Sequence, residues 1–323
     1  MTRLALTSTD SVGGCLLRAG IADIVIPLGS RFVWGELPSE AKLVAMLGPG
    51  SLDHIPSHRL APFSPKEVGP LDLRERCDGV ELWFDPSPNA QLILIQLLDC
   101  LAAHETIVPK LSLFQADVDI GGQPPESISA WRPQRVRIDR GHLDAACMAW
   151  QAYRQSSPQH WARLLEEDIS ALPQLRQTVL ELLEELPMPA TGLGATEMRI
   201  LELIGEGNAT PSDVFPGHQK RNTRRVFGYW EVGELLDGLA NAPAPVVAGL
   251  DEGPFTEEMH GDDARFARYK QSKLSLTPLG RAVLARREDF CRHNPVHRWW
   301  GGTELTNDNL WRWDSMKRAL IAP

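Results

Sequence analysis

The chain is poor in the features that usually announce a function. It has no Cys-x-x-Cys, and its five cysteines, Cys15, Cys77, Cys100, Cys147 and Cys291, are scattered and odd in number. That pattern argues against a disulfide framework and predicts thiols in a reducing compartment. There is no P-loop, GxGxxG fingerprint, HExxH or Ser-His-Asp order, so motif alone names no nucleophile, metal or phosphate site. A basic excess is missing too. The net charge is −9; residues 1–191 carry 16 Lys+Arg against 24 Asp+Glu, and the remainder 17 against 18. Neither part has the cationic surplus of a generic polyanion binder. The longest apolar run, residues 92–98, is broken by Gln96 and is far too short to span a bilayer. The opening MTRLALTSTD lacks the apolar stretch of a signal peptide. These absences predict a cytoplasmic protein with no membrane partner.

What is there is an ordinary globular composition, 43% hydrophobic over 323 residues, long enough for more than one domain. Short apolar runs at 3–8, 23–28, 80–84 and 111–114 alternate with helical stretches, the most apolar being 90–103. Such alternation predicts a Rossmann-like α/β domain over 1–120 with a mainly parallel sheet. Residues 48–70 read as a long surface loop, and 121–133 as a turn-rich linker. Three helices follow in a connector over 121–190. Asp139 can cap the first, Ser157-Pro158 opens the second, and Pro173 opens the third, whose Glu181, Glu184 and Glu185 form a solvated face.

Residues 191–323 run helix, helix, helix, strand, wing, strand, which predicts a winged-helix-like α+β domain. A polar loop is expected between the wing strands at 245–248 and 273–276. The tail, 298–314, reads as a hairpin turning at 306–309, with Trp299, Trp300, Trp311 and Trp313 as packing residues. The third helix, 225–240, carries Tyr229, Val232, Leu236 and Leu239 on its buried stripe. Phe227, Trp230, Glu231, Glu234 and Asp237 lie toward the other side. Acid on an outward recognition helix opposes phosphates and base edges, whereas aromatics beside charge suit a protein interface. Four cations, Lys220, Arg221, Arg224 and Arg225, precede that helix. Together with Trp230, Glu231 and Glu234 they form the expected interaction surface.

In open α/β sheets the ligand crevice lies at the carboxyl ends of the strands. The turn after the first strand places Asp10, Ser11, Gly13 and Gly14 there, with Gln91 on the helix after the third strand. Backbone N–H groups at a helix start can hold a small anion, although Asp10 repels phosphate. Asp10 or Ser11 as a simple helix cap is the plainer alternative. Gln91 and Gln96, set among Leu and Ile, need partners whether or not a ligand binds. Cys291, His293 and His297 near Asp289 lack an obvious second ligand pair, and His54 with His58, a possible pair, lie in the loop-rich region, so no metal and no cofactor is expected.

Several blocks together resemble an uncharacterised bacterial family, the one carrying domain-of-unknown-function 1835. They are TSTDS at 7–11, VELWFDPSPNAQLILIQLL at 80–98, GLGATEMRILELI at 192–204, LTPLGRAVL at 276–284 and RWWGGTELTNDNLWRWD at 298–314. Two positions depart from the family's first block, Ala5 where it has His and Thr9 where it has Gly, and Ala90 replaces an Asp before Gln91. The resemblance implies the architecture and no activity. The expectation is a non-enzymatic interaction or regulatory protein, with a protein partner and a small-ligand site in the N-terminal domain. Its alternatives are a ligand-dependent nucleic-acid regulator using Lys220 to Arg225, and an enzyme on a phosphate- or nucleotide-like substrate at Asp10-Ser11.

Overall fold

The computed structural model describes residues 3–61, 63–70, 72–73, 77, 79–104, 108–131, 133–221 and 224–323, with the backbone alone at 57 and 58. The chain forms two compact units, Met1–Gln155 with Arg163–Val179, and Ser156–Ala162 with Leu180–Pro323.

The strands of the first unit are β1 (Arg3–Thr7), β2 (Ile24–Pro27), β3 (Gly79–Phe84), β4 (Leu111–Gln115) and β5 (Val136–Arg137). Its helices are α1 (Asp10–Arg18), α2 (Glu40–Ala45), α3 (Ser57–Leu60), α4 (Pro88–Ala102), α5 (Pro125–Ala130) and α6 (Arg140–Tyr153). The strands form one five-stranded sheet in the order β2-β1-β3-β4-β5. The first four are parallel, in register Leu4↔Ile24, Leu4↔Val80 and Val80↔Leu111, and β5 adds an antiparallel edge. The α/β expectation with a mainly parallel sheet therefore holds. The 121–133 stretch is more than a linker: it contains α5, whose Ile128 is buried against the α1 side of the sheet.

Alternation along the strands builds the two layers. Ala5, Val25, Trp83 and Phe114 turn toward α1 and α5. The Trp83 and Phe114 rings stack there with centroids 4.4 Å apart. Leu4, Leu6, Leu82 and Leu113 turn the other way, toward α4, which packs against α6. From Ala90 to Leu98 every residue of α4 is buried, so its uniformly apolar sequence is matched by burial all round. The loop region 48–70 also contributes to the core through Leu52, Ile55, Leu60 and Val68.

Two further helices, α7 (Gln159–Arg163) and α8 (Leu175–Glu184), contain unit boundaries. The second unit holds α9 (Ala195–Gly205), α10 (Pro211–Arg221), α11 (Tyr229–Asn241), β6 (Val247–Ala248), α12 (Glu257–Gly261), α13 (Asp263–Gln271), β7 (Ser275–Leu276) and α14 (Pro278–Leu284). Then come β8 (His297–Trp300), β9 (Thr303–Thr306), β10 (Arg312–Asp314) and β11 (Ala319–Ile321). Strands β6 and β7 pair antiparallel. The expected polar loop between them is instead the helical insert α12–α13. Its Phe255, Met259 and Tyr269 form an apolar cluster with Phe215, Trp230, Leu250 and Phe266. Aromatics spaced through 255–269 have a buried partner surface on α11, and burial makes the segment helical rather than a solvated loop.

The tail differs from the single hairpin expected. Strands β8 and β9 turn at Gly301-Gly302, where Gly301 has φ 55°, and β10 with β11 form a second hairpin. Residues 306–309 follow β9 and do not join its strands. Trp300, Trp311 and Trp313 are buried and Trp299 is half-buried, so the packing expectation holds for three of the four. Trp300 Nε1 donates to Leu182 O at 2.7 Å.

Candidate functional site

In the first unit the strand order reverses at β1: β2 lies on one side of it and β3 on the other. The crevice of such sheets lies at that reversal, beyond the carboxyl ends of the strands. Asp10, Ser11, Gly13 and Gly14 all belong to the start of α1, as expected. The cap is neither Asp10 nor Ser11. Thr9 takes that role, its Oγ1 accepting from Val12 N at 3.3 Å. Thr9 has extended backbone (φ −138°, ψ 159°), whereas Asp10 and Ser11 are already helical. Asp10 and Ser11 are exposed. Gly13 faces the sheet rather than the crevice: a Cβ there would lie 3.6 Å from Val25, in ordinary contact.

Ser8 opens the turn expected at the crevice but is not among the expected ligand residues. It is 1% exposed, and its Oγ has no hydrogen-bond partner among the described residues. By alternation it follows Leu4 and Leu6 onto the α4 side of the sheet. The β3–α4 loop is tied down by its polar groups. Asp85 accepts from Ser87 N and Ser87 Oγ at 3.1 and 2.7 Å. Asn89 accepts from Phe32 N at 2.9 Å and donates to Ser30 O at 2.7 Å. Gln91 donates to Asp85 O at 2.7 Å and accepts from Gln115 at 2.9 Å. Both amide ends of Gln91 thus link the ends of β3 and β4. Gln96 donates to Cys100 Sγ at 3.1 Å. At the end of β2 a concavity of about 330 Å³ is lined by Pro27, Leu28, Lys42, Met46, Ser51 and His54, in the size range of small-molecule sites. Ser51 Oγ is a second buried hydroxyl without a partner among the described residues. The signal that could have found Ser8 was its place as the last residue before the crevice loop.

In the second unit the acidic outward face of α11 does not exist. Glu231 is 5% exposed and Asp237 8%, while Tyr229, placed on the buried stripe, is 38% exposed. The helix starts at Tyr229, with Gly228 as its cap, and Glu231 Oε2 accepts from Gly228 N at 2.9 Å. Asp237 accepts from Phe255 N, the first buried aromatic of the insert. A Cβ on Gly233 would overlap the Phe255 ring. The insert therefore lies on the side of α11 that was read as outward. Burial pushes the Asp237 carboxyl up to about 6, helped by Glu234. Glu234 is half-buried.

Two of the four cations, Arg224 and Arg225, are half-buried, and Lys220 and Arg221 are exposed. Arg221 pairs with Glu206, and Arg224 Nε contacts both carboxylate oxygens of Glu181 at 2.8 and 3.0 Å. Arg225 is half-buried and, after burial itself, helps hold the His218 imidazole down at about 4. Lys220 is exposed. The Glu181–Glu185 face is not simply solvated either. Glu185 is 7% exposed and accepts from Thr196 N and Oγ1 at 3.1 and 2.6 Å, at the start of α9. Burial raises its carboxyl to about 7.

The five cysteines are thiols. Cys291 donates to Gly192 O at 3.0 Å, and burial first, then Asp289, lifts it to about 12, far from a reactive thiolate. His293 contacts Glu288 and His297 contacts Glu304 rather than converging on Cys291. The His58 side chain lies outside the described residues. Among the described residues no group of three His, Cys, Asp or Glu side chains is arranged to hold a metal, and no helix is long and apolar enough to cross a membrane. Comparison with known proteins finds no matching family model and no curated protein of significant similarity.

Proposed function

We propose that the chain is a cytoplasmic bacterial interaction protein, non-enzymatic, whose second unit contacts a protein and whose first unit holds a small polar ligand. The order of its elements supports reading the second unit as a winged-helix derivative in which a helical insert replaces the wing loop. The observation that carries the proposal is the state of α11. A helix that reads DNA must present a free, cation-bearing side to the major groove. Here that side is covered by Phe255, and what remains outward near its start is the exposed Tyr229 beside the half-buried Trp230. Accessible aromatic surface at such a place favours a protein partner.

The test is a fluorescence-anisotropy titration of the full chain with duplex DNA at physiological salt. Weak binding without sequence preference is expected. Specific affinity of about 10⁻⁸ M or tighter would overturn the reading. For the ligand, the buried hydroxyls of Ser8 and Ser51 at the carboxyl edge of the sheet are the supporting feature. Nucleotides or small anions should raise the melting temperature with concentration. Ser8→Ala should remove that rise without lowering the basal melting temperature, because it deletes an unpartnered buried hydroxyl.

A further inference from the structure

We propose that the aromatic surface built by the insert between β6 and β7 docks a lysine- or arginine-bearing segment of a partner protein. This names the partner class for the interaction reading above and rests on it.

Three observations converge. The first is ring geometry. His260 stands among Tyr229, Trp230 and Phe266, with centroids 5.9, 5.2 and 4.2 Å away. All four rings keep some exposure. Aromatic faces carry negative quadrupole and attract a cation that lies over them. The second is that the surface already receives an ammonium. Lys270 Nζ, from the same chain, lies 4.4 Å from the Phe266 centroid.

The third is charge. Residues 249–274 hold six carboxylates, all within 251–263, against Arg265, Arg268, Lys270 and Lys273. Glu252 is engaged by Arg265 and Arg268, and Asp262 caps α13. Glu257 and Glu258 are exposed on α12, the same short helix that carries His260. A neutral apolar partner would strip water from these carboxylates with nothing in return. Phosphates would be repelled by them. A basic segment satisfies both the rings and the acids.

The probe is a short fluorescein-labelled Lys-Gly repeat peptide, titrated into the full chain. Saturable binding is expected, and the Nε-acetylated twin of the peptide should bind at least about tenfold more weakly. Glu257→Lys with Glu258→Lys should weaken binding about tenfold, since both side chains are exposed and their change spares the core. Trp230→Leu keeps apolar bulk and removes the ring. Its loss of affinity should persist at high salt, where the carboxylate attraction is screened. Circular dichroism establishes that each variant is folded. Equal binding of the acetylated peptide, no saturable binding, or indifference to both substitutions would overturn the proposal. Light scattering that finds a dimer abolished by Trp230→Leu would assign the surface to a second copy and overturn it too. Failure of the interaction reading itself looks different: specific duplex DNA would then bind tightly and displace the peptide.

Discussion

Helix α4 is buried on nearly every side and α11 along one side that reads as outward, and they come to burial by different routes. In α4 the buried residues are mostly Leu and Ile, and its two glutamines bond Asp85, Gln115 and Cys100. Burial there follows from composition, because removing so much apolar surface from water is favourable wherever the helix packs. In α11 the buried set includes Glu231 and Asp237. Those carboxylates go in only because backbone N–H groups at Gly228 and Phe255 meet them. The lesson is that an acidic side chain on a helix does not mark a solvated face when a neighbouring segment brings a donor to it.

The largest expected effect separates the two helices by their covers. Phe255→Ala should cost about 3–5 kcal/mol in the second unit, because it removes the buried ring packed over Gly233 while keeping the backbone N–H that meets Asp237. Leu94→Ala should cost about 2–5 kcal/mol in the first. Urea unfolding followed by hydrogen exchange assigns each loss to its unit. If Phe255→Ala leaves the α11 amides as protected as before, the insert is not what covers that helix.

A smaller effect tests the acids. The Asp237 carboxyl is raised to about 6 in the folded chain. A raised carboxyl contributes stability at pH below its unfolded value, near 4, and that contribution is lost as pH rises through about 6. The loss should reach up to about 3 kcal/mol by neutral pH. Asp237→Asn should flatten the stability profile between those values, measured by urea unfolding at a series of pH values. Glu185, raised to about 7, leaves a second descent at higher pH in the same variant. An unchanged profile in Asp237→Asn would mean that the carboxyl is hydrated in solution.

The smallest effect sharpens the comparison at the start of α1. Thr9→Ala removes the hydroxyl that accepts from Val12 N and should lower stability by about 0.5–2 kcal/mol. Ser11→Ala, one turn-residue later and exposed, should change it by less than about 0.5 kcal/mol. Thermal melts of the pair decide between them, and a reversal of the order would return the cap to Ser11.

Much of the architecture was legible in the residues themselves. The alternation of short apolar runs with helices identified β1 to β4 and α4, since period-two and period-3.6 patterns depend on local spacing alone. Asp139 was readable as a capping residue for the same reason, and it makes that contact. The tail's Trp300, Trp311 and Trp313 were recognisable as core because large rings find no cheaper place than a packed one. Misread were the positions whose neighbours arrive from far along the chain. Ser8 is an ordinary loop residue until β1 is seen as the point where the sheet order reverses. Glu185 belonged to an acidic helix face until Thr196 was brought against it. Glu231 and Asp237 sat at outward positions on a helical wheel, and only the folding back of residues 249–274 turned that side inward. Local periodicity determines which side chains share a face. Whether that face meets water or another segment is decided by long-range packing, because burial of a charge depends on a donor that the wheel does not contain.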